Sequence, residues 1–311
     1  MRIVERDRLP GPGVIRAERT ARRLPSAVAA AVAALALLLG ALLAPASSQA
    51  ADSQRIAALT PFGANTLAKL GVKPVAVGQQ LGEDAKLSPK LDGVPVLPLS
   101  HPNGPNLEQL AALDPDVVLS SRTWAKGNQA MSNLGIRVIV HEPQSIAGAY
   151  ADTYKIGQLV GVKHRARVLL KSMRANVETA RKGISKHPKV MLILGVGRSP
   201  FTMLPNSWGG DIVTKAGGEL LTGGVKSTSG FERISDEVVV AENPDIIIAV
   251  PHANEDDIPS LTDYLRSNPA WASTEAAQNG RVYVSVDNSL LQAGADISRT
   301  IRKVRSAYLK N

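Results

Sequence analysis

Cysteine is absent from this chain of 311 residues. Without a thiol the protein can form no disulfide, bind no metal through thiolates and carry no lipid on a cysteine at a processing site. Several signatures of catalysis are also absent: the Gly-x-Ser-x-Gly elbow, the His-Glu-x-x-His pair and the glycine-rich phosphate loop that ends in lysine. These absences favour a protein that binds a ligand over an enzyme.

The first fifty residues differ in composition from the remainder. A basic segment ending at Arg22-Arg23 leads into eighteen apolar residues, 27–44, and a stretch of small residues follows. This order predicts a signal peptide over residues 1–50, cleaved near Ala50. An uncleaved anchor is the alternative, because eighteen apolar residues barely span a bilayer. Both predict export, either to a periplasm or to the outer face of the cell membrane.

The formal net charge of +9 includes seven Arg and three acidic residues of residues 1–50. The mature chain therefore carries only +5. We expect this charge to be spread along the chain, because it has no arginine-rich tract. Nucleic acid is accordingly not a predicted partner.

The clearest structural pattern lies near the end of the chain. Asn243-Pro244-Asp245 is followed by a wholly apolar run, 246–250, and then by Pro251-His252. The proline stops the preceding helix, and the apolar run is typical of a strand covered on both faces. Ligands of open α/β sheets bind beyond the carboxyl ends of strands, which favours His252 as a ligand-binding residue. The plainer alternative is a surface histidine in a polar loop.

A similar pattern occurs in the first half of the chain. Residues 107–119 and 237–250 each combine a helix, an Asp-Pro-Asp or Asn-Pro-Asp stop and an apolar strand. Residues 145–186, between them, show apolar positions at helical spacing without a strand. The sequence predicts an α/β fold of two Rossmann-like lobes, 51–144 and 187–311, on a long helical connector, with a cleft between facing strand ends.

Five motifs follow one another after residue 50. They are Arg55-Ile56-Ala57-Ala58-Leu59-Thr60-Pro61, Leu70-Gly71-Val72-Lys73-Pro74-Val75, Asn106-Leu107-Glu108 with Asp114-Pro115-Asp116, Ala216-Gly217-Gly218-Glu219 and Glu242-Asn243-Pro244-Asp245. In this order they resemble the class III periplasmic binding proteins, which serve ABC importers of iron-siderophores, haem and cobalamin. The resemblance implies a two-lobed clamshell that delivers such a ligand to an importer's permease.

Within this family, three segments most resemble the haem receptors of the iron-regulated surface determinant system. They are Pro251-His252 with the acidic residues after it, residues 195–210, and residues 99–108. In those receptors the first segment holds a haem-ligating histidine and the third presents an opposing methionine. Leu99-Ser100 stands at the place of the methionine here, and leucine cannot bind iron. The resemblance implies that His252 ligates haem iron. His101, seven residues before Glu108 where related receptors place a ligating tyrosine, is the candidate for the other side.

Haem would need further partners. Arg122 and Lys226 follow strands or lie in candidate cleft loops, and are candidates to hold the haem carboxylates; solvated surface charge is the plainer interpretation of each. Met203 and Trp208 either pack on the porphyrin or belong to the core. The resemblance also implies that Glu237 docks on arginines of the permease.

The predicted ligand is haem, with ferric siderophore or cobalamin as alternatives in which the metal arrives already coordinated and neither histidine is needed. The predicted partners are the permease of an ABC importer and an upstream haem donor protein. A cell-envelope protein that kept the fold and lost transport is a further alternative. It is favoured by Asn65, which brings no charge to the first-lobe docking position.

Overall fold

Strands alternate with helices in the first half of the chain. The computed structural model describes residues 54–79, 87–196, 199–251, 257–285, 288–294 and 296–310. The strands of this half are Ile56–Ala58 (β1), Ala76–Gly78 (β2), Val96–Leu97 (β3), Leu99–Ser100 (β4), Gly104–Pro105 (β5), Val117–Ser120 (β6) and Arg137–Val140 (β7). Five of them form one parallel sheet in the order β3-β2-β1-β6-β7. The other two, β4 and β5, pair as a separate antiparallel hairpin.

Three helices connect the strands of this first sheet: Pro61–Leu70 (α1), Leu107–Ala111 (α2) and Ala125–Asn133 (α3). The start of α1 follows from its sequence, because the Thr60 hydroxyl accepts the Gly63 N–H and Pro61 occupies the first turn. Gly71 ends the helix with a φ of 75°, a conformation that favours glycine.

Two helices occupy the stretch predicted as the connector: Ile146–Leu159 (α4) and Lys163–Arg181 (α5). They pack closely, since a Cβ on Gly157 would overlap the methyl group of Ala166. Within the described ranges, no helix combines the length and the apolar character needed to cross a bilayer. The predicted signal peptide lies outside those ranges, and the predicted bounds of the two lobes and the connector remain predictions.

The second sheet contains six strands: Lys189–Val196 (β8), Ser199–Met203 (β9), Glu219–Leu221 (β10), Phe231–Arg233 (β11), Ile246–Pro251 (β12) and Val282–Val284 (β13). Their order is β11-β9-β8-β12-β13, and β10 also pairs with β8. The pairs of β8 with β10 and β12, and of β12 with β13, are parallel, whereas β9 and β11 run antiparallel to their neighbours. The helices here are Trp208–Ala216 (α6), Asp236–Glu242 (α7), Asp257–Ser267 (α8), Pro269–Ala272 (α9), Glu275–Gln278 (α10) and Ile297–Val304 (α11).

Both faces of β12 are buried, as its apolar sequence predicts. Ile246, Ile248 and Val250 belong to one apolar cluster, whereas Ile247 and Ala249 belong to another on the opposite face. The first of these clusters is continuous through α4 and α5 to residues of β1 and β6. The two sheets and the two connector helices therefore share one core.

The repeat predicted from the sequence is confirmed at two equivalent junctions. The Asp116 N–H donates to the Arg55 carbonyl at 2.8 Å, and its carboxylate accepts the Arg55 N–H at 2.7 Å. Asp245 makes the same pair of bonds with Lys189, at 2.9 and 2.8 Å. Each aspartate thus anchors the start of the first strand of its sheet, β1 or β8.

Candidate ligand-binding site

The carboxyl ends of β6 and β7 bring Arg122 and Glu142 together. The Arg122 Nε lies 3.4 Å from a carboxylate oxygen of Glu142, and its backbone N–H donates to the same oxygen at 3.2 Å. The Arg122 side chain is still 68% exposed. This pairing orients a guanidinium at the sheet edge where ligands of such folds bind, with donors left for an anion. The sequence singled out Arg122 but not its partner.

His101 lies in the turn of the hairpin formed by β4 and β5. We call residues 99–105 the His101 hairpin. A Cβ on Gly127 would overlap the Asn103 carbonyl oxygen, and the Gly127 N–H donates to the Pro102 carbonyl at 3.4 Å. At the other end, Leu99 packs over Gly78, where a Cβ would come within 2.7 Å of a Leu99 methyl group. The hairpin is thus held from both sides, and the His101 side chain is exposed.

Another histidine at the edge of the first sheet, His141, is buried and makes contacts within the fold. His141 follows β7 and is only 5% exposed. Its Nδ1 lies 3.4 Å from a carboxylate oxygen of Asp152 on α4, and Lys155 contacts that same oxygen at 3.2 Å. Burial would raise the pKa of Asp152, but His141 and Lys155 outweigh it and hold the pKa below its usual value. The group joins the first sheet to the connector.

The second sheet brings β12 to the corresponding edge. Pro251, the last residue of β12, pairs with Gly195 of β8. His252 comes next in the sequence and lies outside the described residues, so its role as iron ligand remains a prediction. Lys226 is exposed in the loop between β10 and β11. The Asn206 side chain supports this loop by donating to the Ser227 carbonyl at 2.8 Å.

Two of the proposed porphyrin contacts lie in the core. Met203 is fully buried and Trp208 is 1% exposed. The Trp208 indole N–H donates to the Ser289 carbonyl at 2.9 Å, which fixes the ring between α6 and the turn at Asn288–Leu290. Both side chains belong to the apolar core of this part of the fold, and their contact with a porphyrin remains a prediction.

The comparisons with known proteins agree with this architecture. A model of the periplasmic binding protein family matches residues 56–288, three-quarters of the chain. The chain belongs to the periplasmic binding protein family. Its fold is the class III clamshell of two α/β lobes, as the resemblance of its motifs implied. The family is a type of substrate-binding protein rather than of enzyme.

Among the relatives of this periplasmic binding protein, a cobalamin-binding protein of Halobacterium salinarum is 26% identical over 83% of this chain and 70% of its own length. The high-affinity heme uptake system protein IsdE of Staphylococcus aureus is 28% identical over 60% of this chain and 64% of its own. The crystal structure of IsdE complexed with heme matches with a TM-score of 0.68 and 26% identity, over 83% of this chain and 99% of that one. An ABC transporter substrate-binding protein of Listeria monocytogenes shares the fold, with a TM-score of 0.73 at 22% identity, over 84% of this chain and all of that one.

The predicted docking residue of this binding protein, Glu237, is exposed in the first turn of α7. A hydrogen bond with the Ser235 side chain and another with its own backbone hold the pKa of Glu237 below its usual value. The carboxylate is therefore charged at neutral pH. Val240, one turn further along α7, is 39% exposed, so an apolar side chain lies beside the charge.

The equivalent position in the first lobe is used differently. Asn65 is half-buried on α1, and its side-chain oxygen accepts the Ser88 N–H at 2.7 Å. The amide thereby fixes the chain just before the 3₁₀ turn at Pro89–Leu91. Asn65 thus has a structural function that the sequence alone did not reveal.

Proposed function

We propose that this protein captures haem between its two lobes and delivers it to an ABC importer. The observation that carries the proposal is the match to the heme-complexed IsdE structure, which includes nearly all of that chain. The exposed His101 and the position of His252 directly after β12 support the same ligand. Imidazole nitrogens of this kind are good axial ligands for haem iron.

In this proposal the iron is held from both lobes. His252 binds one face of the porphyrin from the second lobe. The His101 hairpin covers the opposite face and offers the His101 imidazole in place of the thioether that leucine cannot supply. A bis-histidine site results, or a site with His252 alone where His101 is held loosely. The contacts of the hairpin with Gly127 and Gly78 favour the first arrangement, because they limit its movement.

The haem carboxylates would meet Arg122 and Lys226, one from each lobe. Arg122 is the stronger candidate of the two, because Glu142 already orients its guanidinium, so less side-chain freedom is lost on binding. Met203 and Trp208 would support β8 and β9 from within the core, beneath the proposed site.

Delivery to the permease would use the face of α7. Glu237 offers a charged carboxylate and Val240 an exposed apolar contact one turn away. Arginines of the permease are the partners that the family resemblance implies for Glu237. A haem donor protein upstream of this step completes the proposed route.

Cobalamin is the second candidate ligand. The Halobacterium salinarum cobalamin-binding protein matches this chain over a longer stretch of sequence than IsdE does, 83% against 60% of the chain. Cobalamin carries its own equatorial nitrogen ligands, so neither His101 nor His252 would be required. The two candidates therefore differ in how they respond to loss of a histidine.

Titration of the purified protein with haemin, followed through the Soret band, tests the proposal. We expect saturable one-to-one binding and a low-spin six-coordinate spectrum. His252→Ala should weaken binding at least tenfold and change the spectrum, because an axial bond is lost. His164→Ala is the matched control, since His164 is exposed on α5 far along the chain from either ligand.

Three other results would contradict the proposal or part of it. Absence of saturable haemin binding, with saturable binding of cyanocobalamin or of a ferric hydroxamate, would overturn haem in favour of that ligand. An unchanged spectrum in His252→Ala would exclude His252 as an iron ligand. A persisting six-coordinate low-spin spectrum in His101→Ala would remove His101.

A further inference from the structure

The cations of this chain are concentrated in two stretches, 155–189 and 297–310, rather than spread evenly along it as its lack of an arginine-rich tract suggested. Residues 155–189 and 297–310 contain fifteen Lys and Arg and a single acidic residue, Glu178. The other residues from 51 onward contain fourteen Lys and Arg and twenty-three Asp and Glu. These two stretches thus carry a formal charge of +14, and the other residues from 51 onward carry −9. A surface of one sign on this scale attracts partners of the opposite charge.

Four of these cations lie in a row on the longest helix. Lys163, Arg167, Lys171 and Arg174 are all exposed, and their spacing of four, four and three residues places them on one side of α5. We call these four residues the basic stripe; it is about 16 Å long at the rise of an α-helix. The buried residues of α5 face another direction and are Ala166, Met173, Val177 and Ala180.

Two tyrosines of α4 border the basic stripe. The Arg174 guanidinium carbon lies 4.9 Å from the centre of the Tyr150 ring. Nη2 of Arg167 donates to the Tyr154 hydroxyl at 3.5 Å. Both tyrosines are half-buried. Tyrosine next to Lys and Arg is the combination that proteins place at the boundary between water and lipid headgroups.

We infer that the basic stripe, with Tyr150 and Tyr154, is a docking surface for an anionic membrane. Anionic lipid headgroups attract the two stretches with a formal charge of +14. A straight row of cations on a helix can also contact a flat membrane surface along its whole length. A second copy of this chain would have to match that row with its dispersed acidic residues, and it offers no equivalent row of acids on a described helix. The inference rests on the proposed function only in placing the protein beside the membrane that holds the importer.

Membrane binding would keep the protein close to its importer between rounds of delivery. Each Lys or Arg near an anionic surface contributes on the order of 1 kcal/mol, which is about a fivefold change in affinity. The basic stripe therefore supplies enough attraction for reversible binding that leaves the protein able to dissociate. The face of α7 that carries Glu237 belongs to a different part of the fold, the second sheet and its helices.

Cosedimentation of the full chain with lipid vesicles tests this inference. One set of vesicles is phosphatidylcholine alone, and the other also contains phosphatidylglycerol. Variants are compared with one another, because the apolar residues 27–44 are the same in all of them and contribute equally to vesicle binding. We expect Lys163→Gln/Lys171→Gln to weaken binding to the anionic vesicles about 25-fold, and added salt to weaken wild-type binding further.

Lys73→Gln/Lys90→Gln is the matched control, since it removes two exposed lysines outside the basic stripe. It should bind the anionic vesicles like the wild type, and haemin titration should be the same for all three proteins. Equal losses of vesicle binding in the two double variants would overturn the inference. Binding that is the same with and without phosphatidylglycerol would also overturn it. Concentration-dependent dimerisation that is lost only in the stripe variant would overturn it in favour of a second copy of the chain. Failure of haemin binding with intact vesicle binding would count against the proposed function alone.

Discussion

At the first position of α7, the Asp236 carboxylate accepts hydrogen bonds from three side chains of the segment that follows β12. The Trp271 indole N–H donates to it at 2.6 Å, the Asn268 amide at 2.8 Å and the Tyr264 hydroxyl at 3.3 Å. Burial would raise the pKa of Asp236, but these hydrogen bonds outweigh it and lower the pKa. One residue thus joins α7, α8 and α9, directly beside Glu237.

Replacement of Asp236 should destabilise this part of the protein. Asp236→Asn keeps the shape but loses the charged acceptor, and we expect the free energy of unfolding at pH 7 to fall by about 1–2 kcal/mol. A lowered carboxyl pKa contributes stability above its unfolded value, near 4, and this contribution is lost as the pH falls through the folded value. The difference between wild type and variant in urea unfolding should therefore shrink as the pH is lowered below about 4.

The matched control for that measurement is Asp263→Asn, which removes an exposed carboxylate from α8. Its effect on unfolding should be within about 0.5 kcal/mol of the wild type. A difference between Asp236→Asn and the wild type that is constant from pH 7 to pH 3 would contradict the assignment of a lowered pKa.

At the scale of elements, the His101 hairpin depends on a glycine in another helix. Gly127→Ala would place a methyl group on the Asn103 carbonyl oxygen, so the hairpin must move away from α3. We expect a loss of about 1–3 kcal/mol in the free energy of unfolding. Haemin affinity should also fall, with a weaker six-coordinate signal, because His101 moves with the turn.

Gly294→Ala is the control for this change, because a Cβ at that position meets nothing within 4 Å. Thermal unfolding and the Soret spectrum should both remain like the wild type. A normal six-coordinate spectrum in Gly127→Ala would show that the position of the hairpin does not govern the sixth ligand.

Elements with continuous apolar sequence could be predicted, whereas elements that contain proline or mix polar with apolar residues could not. The run that forms β12 was located to within one residue, because a strand buried on both faces needs apolar side chains throughout. In contrast, β9 contains Pro200, which normally argues against a strand since it cannot donate to the ladder. The strand forms nonetheless, with Pro200 opposite Gly195 in the second pair from the end of the ladder. The strands β10 and β11, of three residues each, were too short to show a period.

The sequence could propose candidate residues for the site, but it could not predict their surroundings. That His101 follows a strand is local information, whereas its support by Gly127 is a contact between residues more than twenty positions apart. For Trp208 the pattern left two alternatives, and the bond to the Ser289 carbonyl, 81 residues later, favours the core. Such long-range contacts leave no periodic signal in the sequence.

At the scale of the whole molecule, the connector is tied to both sheets by polar contacts as well as by the shared core. Arg165 of α5 donates to the Leu70 carbonyl at the end of α1, at 3.1 Å. The Asp211 carboxylate of α6 accepts the Ile146 N–H at the start of α4, at 2.7 Å. These bonds restrict how the two lobes can move relative to the connector helices, which suits a binding site that is largely formed before the ligand arrives.

Transfer to the permease should depend on Glu237 without affecting ligand capture. Glu237→Ala should leave the haemin titration unchanged and lower the rate of haem uptake several-fold in cells that carry the importer, because an exposed charge mainly guides association. Glu242→Ala, at the opposite end of the same helix, is the control. Uptake that is equally reduced in both variants, or in neither, would exclude Glu237 as a specific docking residue.

The separation of charge between residues 155–189 and 297–310 and the rest of the chain has a practical consequence for handling the protein. A molecule with +14 on one set of surfaces and −9 on the others does not behave as its small net charge implies. At neutral pH and low salt it should be retained by a cation-exchange resin through residues 155–189 and 297–310 and, on a separate column, by an anion-exchange resin through the acidic remainder. Lys163→Gln/Lys171→Gln should elute earlier from the first resin and later from the second, which gives a simple chromatographic measure of how strongly each surface is exposed.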